Sequence, residues 1–92
     1  MSRLSGYPYV ESTWDASSIS DGDEQATDVT VPGASLGDFV LSSFSLDLAD
    51  VVLTAAVTAA NRVTAVLANN TGGSVDLASG TLRVRVVPFA DA

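Results

Sequence analysis

The chain contains no cysteine and no histidine, and because all four of its basic residues are arginine it also lacks lysine. Without cysteine, neither a disulfide nor a thiolate metal site can reinforce the core. Without histidine, the commonest general base and the commonest metal ligand are missing. Without lysine, Schiff-base chemistry and a Walker-type phosphate lysine are excluded. Basic charge is scarce: Arg3, Arg62, Arg83 and Arg85 stand against eleven acids, for a formal charge of −7. A surface of that sign repels phosphate backbones, so nucleic-acid binding would need a concentrated basic patch. The one candidate is Arg83 with Arg85, whose spacing fits an exposed strand face or a partner contact better. Long apolar runs are missing as well. The longest, Val51 to Ala60, stops at Asn61 and Arg62, far short of the ~20 residues that span a bilayer. Arg3 is followed by Ser5, Gly6, Pro8, Glu11 and Ser12, which does not read as a secretory signal. A soluble protein is expected.

What is present is a chain of 92 residues, 47% apolar and 16% charged, enough for one small domain with a core of its own. A chain this short buries only ~60–65% of the surface it exposes when unfolded. Two compositional parts are visible. Residues 1–28 hold Glu11, Asp15, Asp21, Asp23, Glu24 and Asp28 among many Ser and Gly, and read as an arm or long loop. Residues 29–89 hold nearly all the Val and Leu, and read as the packed body.

Within the body the apolar period is mostly two, the strand signature. Strands are expected over Asp28–Val31, Asp38–Phe44, Val51–Ala59, Arg62–Ala68 and Thr81–Val87. Pro32-Gly33 ends the first, and Ala60-Asn61 fits a tight hairpin because asparagine tolerates positive φ. In the last strand Leu82, Val84 and Val86 point inward, with Thr81, Arg83 and Arg85 outward. Leu46–Ala60 is alanine-rich and competes as a helix. Its β-branched residues Val51, Val52, Thr54, Val57 and Thr58 favour strand, with a short helical turn at Leu46–Asp50 left open. Five or six short strands imply an all-β fold, a small antiparallel β-sandwich or barrel. Trp14 without a cysteine pair argues against an immunoglobulin domain. The expected organisation is an extended N-terminal arm over residues 1–14 and a single β domain over 15–92.

Candidate chemistry is thin. Asp15, Asp21, Asp23, Glu24 and Asp28 form the one plausible calcium constellation, but they lack a closing bidentate glutamate and helical flanks. A solvated turn is the favoured reading. Gly33-Ala34-Ser35-Leu36-Gly37 has nucleophile-elbow spacing, yet no base exists to activate Ser35 and the segment joins strand to strand. Asn69-Asn70-Thr71 matches a glycosylation sequon by chance. Neither enzyme activity nor a cofactor or metal is expected. Phe39 and Phe44 fall on opposite faces of their strand, so one belongs to the core and the other is free to be covered. Tyr7, Tyr9 and Trp14 are unusual in so polar a segment. They either anchor it in a neighbour's pocket or fold it back onto its own sheet.

Three stretches together resemble small bacteriophage virion proteins. The first is Thr13-Trp14-Asp15 through Asp21-Gly22, followed by Val29-Thr30-Val31-Pro32-Gly33-Ala34 and Leu36-Gly37-Asp38-Phe39-Val40-Leu41. The second runs from Val57 to Asn69 and the third from Val75 to Val86, so the resemblance spans residues 13–86. No single motif in it is chemically diagnostic; the order of the whole pattern carries it. The resemblance implies a structural protein of the virion, either a small head protein or a module at the end of a larger tail or fibre chain. A chain of this size with its own start methionine suits a capsid decoration (cement) protein better. Such a module would sit on the capsid exterior, bind the major capsid protein and stabilise contacts between its subunits. It would act as a homo-oligomer, with a trimer suiting local three-fold positions. Under this reading Tyr7, Tyr9 and Trp14 are the partner-binding anchors, and Arg83 and Arg85 pair with acids on the partner. The alternative is a tail or fibre module, possibly carbohydrate-binding, and a cell-wall hydrolase accessory comes third.

Overall fold

More buried and less buried side chains alternate along every strand of the structure, a computed structural model that describes residues 6–91. The strands are β1 (Tyr9–Trp14), β2 (Glu24–Thr30), β3 (Phe39–Phe44), β4 (Val52–Ala59), β5 (Arg62–Ala68) and β6 (Gly80–Val87). A single 3-10 turn, Phe89–Asp91, follows them. They form two antiparallel three-stranded sheets, ordered β1-β6-β3 and β2-β5-β4. The fold is therefore a sandwich and not a closed barrel. β5 and β6 are the central strands. Their inward residues Val63, Ala65, Leu67, Leu82, Val84 and Val86 form the middle of the core, almost wholly shielded from water. β1 lies over β2, and β3 over β4. No helix among the described residues is long and apolar enough to cross a membrane.

The extended arm is a correction. Residues 1–5 lie outside the described residues, but Tyr9–Trp14 pairs with β6 along its full length, from Tyr9 opposite Arg85 to Trp14 opposite Gly80. Val10, Ser12 and Trp14 turn inward, while Tyr9, Glu11 and Thr13 face out. The period of two is there, but polar Ser12 on the inner face and few aliphatics conceal it. The acid-rich segment behind it is also more ordered than its composition suggests. Ala16 and Ile19 are buried, and Ile19 exchanges backbone hydrogen bonds of 2.8 and 2.9 Å with Val75. β2 begins at Glu24, four residues before the expected start, because Gln25 and Thr27 continue the inward parity of Val29.

The remaining strands start and end within one residue of expectation. The stretch Leu46–Asp50 is not helical: Ala49 and Asp50 take φ of 50° and 69°. The Asp47 carboxylate accepts from the Ala49 amide at 3.0 Å, an Asx turn that reverses the chain. At the β4–β5 hairpin Asn61 adopts φ 63°, and its Oδ1 accepts from the Gly33 amide at 2.8 Å. The hairpin tip is thereby stitched to the loop after β2.

One glycine is required for space. A Cβ on Gly80 would stand 2.6 Å from Phe44 Cζ and 2.8 Å from Cε2. The Phe44 ring cannot retreat freely, because it packs edge-on against Trp14 with centroids 6.3 Å apart. Gly80→Ala is expected to lower the unfolding free energy by about 1–3 kcal/mol in urea titration. Gly73→Ala, with open space around it, is expected to cause no loss.

Candidate docking face

The outer face of the β1-β6-β3 sheet is assembled by register. Tyr9, Arg85 and Leu41 form one cross-strand row, and Glu11, Arg83 and Ser43 the next. Phe39 lies opposite Val87 and extends the same face towards the end of β6. The parity that buries Leu82, Val84 and Val86 obliges Arg83 and Arg85 to project here.

The polar groups of the face are interlocked. The Arg85 guanidinium lies 4.5 Å from the Tyr9 ring centroid, a cation–π stack. Its Nη1 donates to the Tyr7 carbonyl at 3.0 Å, tying the chain before β1 down to the sheet. The Tyr9 hydroxyl donates to Glu11 Oε1 at 3.0 Å, and Arg83 Nε approaches the same oxygen at 3.4 Å. Desolvation raises the Tyr9 phenol above its ordinary pKa, and the hydrogen bond and negative charge of Glu11 add to it against the two arginines. The Arg83–Glu11 pair is exposed on both sides, so it contributes ~0–1 kcal/mol and chiefly fixes geometry.

Around this lattice the surface is apolar. Phe39 is 55% exposed and Leu41 51%. Phe89, in the turn after β6, is 62% exposed and rests beside Gly37, while its amide donates to Asp38 Oδ1 at 3.3 Å. Leu36, in the same loop as Gly37, is 65% exposed. A shallow open depression of about 170 Å³ lies between Tyr9, Leu41, Ser43, Arg83 and Arg85. Its residues offer a cation–π pair, a phenol and apolar walls, which suit recognition of another surface.

Of the residues singled out from sequence, Tyr7, Tyr9, Arg83 and Arg85 are thus brought together. Trp14 is not among them. It points to the opposite side of β1 and is only 9% exposed, in the core against Phe44. Its role as a partner anchor is corrected to that of a core residue. Phe39 and Phe44 divide as their parity requires: Phe44 packs inward and Phe39 stays out. Sequence reasoning passed over Leu36, Leu41 and Phe89. A signal existed for Leu41, which shares the outward parity of Phe39 on a strand apolar on both faces.

Three of the acids over residues 15–28 are hydrogen-bonded within the fold. Asp21 Oδ1 accepts from the Gly72 amide at 3.0 Å, and Asp23 Oδ1 from the Glu24 amide at 2.8 Å. Asp28 Oδ1 accepts from the Thr64 hydroxyl at 2.7 Å across the other sheet. Among the described residues no three potential metal-ligating side chains converge. Ser35 sits in the β2–β3 loop, where its amide donates to Asp38 Oδ2 at 3.0 Å. The sequon has a structural role instead: Asn69 is fully buried, and its amide group is committed to the backbone.

Comparison of the chain with protein-family models, with curated proteins and with solved structures gives no match.

Proposed function

We propose that this protein is a capsid decoration (cement) protein of a bacteriophage, binding the head exterior and bridging subunits of the major capsid protein. The observation that carries the docking role is the exposed Phe39–Leu41–Phe89 surface beside the Tyr9–Arg85 stack, held on a rigid sheet. Exposed aromatics and arginine on a fixed backbone are the composition of interface hot spots, and such a face costs little ordering entropy on binding. The reading as a phage virion protein rests on the resemblance in residue order described above, and the head is preferred over the tail because a small single β domain suits decoration of a shell. Binding only the assembled shell stabilises it by mass action, by about 2.7 kcal/mol when free protein stands at 100 times its Kd. No reactive group takes part. Tyr7, Tyr9, Arg83 and Arg85 belong to the docking face, and Arg83 and Arg85 meet acids of the partner at its rim.

Deleting residues 1–12 would remove most of β1, so surface substitutions are the cleaner test. Phe39→Asp with Leu41→Asp is expected to reduce occupancy on purified heads by about 30-fold or more. Thermal stability should stay within about 0.5 kcal/mol of the parent, as for other exposed positions. Undiminished occupancy would overturn the docking face. Mass spectrometry finding the protein in tails and not in heads would transfer it to the tail or fibre reading, for which glycan-array binding is the follow-up.

A further inference from the structure

Four strands are sheet edges: β1 and β3 in one sheet, β2 and β4 in the other. The two sides of the sandwich differ in charge. β1 and β2, stacked on one side, carry Glu11, Glu24 and Asp28, and the segment joining them adds Asp15, Asp21 and Asp23. β3 and β4, stacked on the other, carry no charged residue at all.

Proteins ordinarily protect an exposed edge with lysine, proline, an inward charge or a short strand, because its unpaired N–H and C=O groups template another strand. β4 uses none of these. It is eight residues long, and its one register irregularity lies at the hairpin end, between Val57 and Ala59. Among the described residues no backbone hydrogen bond joins Val52–Ala59 to anything but β5. Thr54, Ala55 and Ala56 at its middle are small, so a second backbone can approach closely. β3 is shorter, and Phe89 and Asp38 crowd its start.

We propose that β4 is a self-pairing edge: two copies of this chain join antiparallel through Val52–Ala59 into one continuous six-stranded sheet. Two-fold symmetry about Ala55 keeps both inner faces on the same side. It sets Leu53 opposite Val57 of the second copy, an apolar pair, and Thr54 opposite Ala56. A second copy fits better than a charged partner because nothing at the seam offers a charge to read. The net charge of −7 does not prevent it. In the joined order β2-β5-β4-β4-β5-β2 the acidic β2 strands stand five strand spacings apart, about 24 Å, or three screening lengths of ~8 Å. The seam makes a dimer, unlike the trimer that capsid symmetry suggests. It also lies in the sheet opposite Phe39 and Leu41, so it stands or falls independently of capsid binding.

Light scattering on the eluting protein should show a mass rising with concentration towards twice the 9.4 kDa of one chain. Thr54→Lys with Ala56→Lys sets lysine opposite lysine at two symmetric places and should raise the dimer dissociation constant by about tenfold or more. Thr54→Lys with Ala56→Glu uses the same exposed positions with opposite charges and should restore dimerisation. A monomeric parent at high concentration, a three-chain mass, or identical behaviour of the two variants would each overturn the seam. Should neither variant fold, amide exchange on the parent decides. Amides along Val52–Ala59 must slow as concentration rises, and unchanged exchange there is a refutation.

Discussion

Trp14→Ala is expected to remove about 3–5 kcal/mol of stability, a large share of the 5–15 kcal/mol typical of a small domain. The loss arises on the inner side of β1, away from the face that carries Tyr9 and Glu11. The indole is almost fully buried, stands at 84° to the Phe44 ring, and lies opposite Gly80 in the ladder. Removing it opens a void beside Phe44 and Gly80, and the cost depends on how far the Phe44 ring can move into it. Because Trp14 is the only tryptophan, the parent reports on the same site. Its fluorescence should be blue-shifted in the folded state and move to the red in step with the circular-dichroism transition in urea. Full stability in Trp14→Ala would mean that β1 is dispensable, and would return residues 9–14 to the status of an arm. The substitution separates two roles that the residue type alone leaves open: an anchor lost from a surface weakens binding, whereas an anchor lost from a core weakens folding.

Asn69→Ala should cost about 2–4 kcal/mol, by a different mechanism. Asn69 Nδ2 donates to the Ile19 carbonyl at 2.7 Å and to the Gly73 carbonyl at 2.8 Å. Its Oδ1 accepts from the Thr71 amide at 3.0 Å and the Thr71 hydroxyl at 2.8 Å. The backbone joins in, with Asn69 N donating to Asp23 O and Asn69 O accepting from Gly22 N. One side chain therefore fastens the β1–β2 segment to the β5–β6 loop, and among the described residues no buried side-chain polar atom lacks a partner. Alanine removes one of two donors from the Ile19 carbonyl, which keeps the Val75 amide, and takes the side-chain acceptor from the Thr71 amide and hydroxyl. The cost is the sum of these lost bonds and of the space the buried side chain filled. Thr71→Val should cost only about 1 kcal/mol, since Thr71 is exposed. The double variant should be less destabilised than the sum, because the two share bonds. A loss below about 1 kcal/mol in Asn69→Ala, measured by urea unfolding, would show that the two loops hold without the tie.

Both expectations concern residues whose type was conspicuous and whose placement was not. Asn69 belongs to a sequon, and that motif points outward to a surface loop. The buried position follows from the convergence of residues 19–23 with 69–75, segments distant in sequence. Tyr9 and Arg85 show the same gap. Each was notable as an aromatic or a cation, but their stacking depends on β1 pairing with β6 in one register, and a shift of one residue would turn Tyr9 into the core. The docking face was legible as far as Arg83 and Arg85, whose outward parity is local to β6. Phe89 comes to lie beside the β2–β3 loop, where Leu36 is also exposed, because the turn after β6 folds against that loop.

From the amino-acid order alone came the all-β class, the span of β3 to β6, the β4–β5 hairpin and the inward set Leu82, Val84 and Val86. These follow because a period of two and the turn chemistry of glycine, proline and asparagine act over a few neighbouring residues. Only the tertiary structure decided that β1 is a strand, that Trp14 is core, that Asn69 is a buried tie and that Tyr9 meets Arg85. Each of these is settled by which strands pair and in what register. That choice minimises the free energy of the whole sandwich, and no short window of the chain contains it.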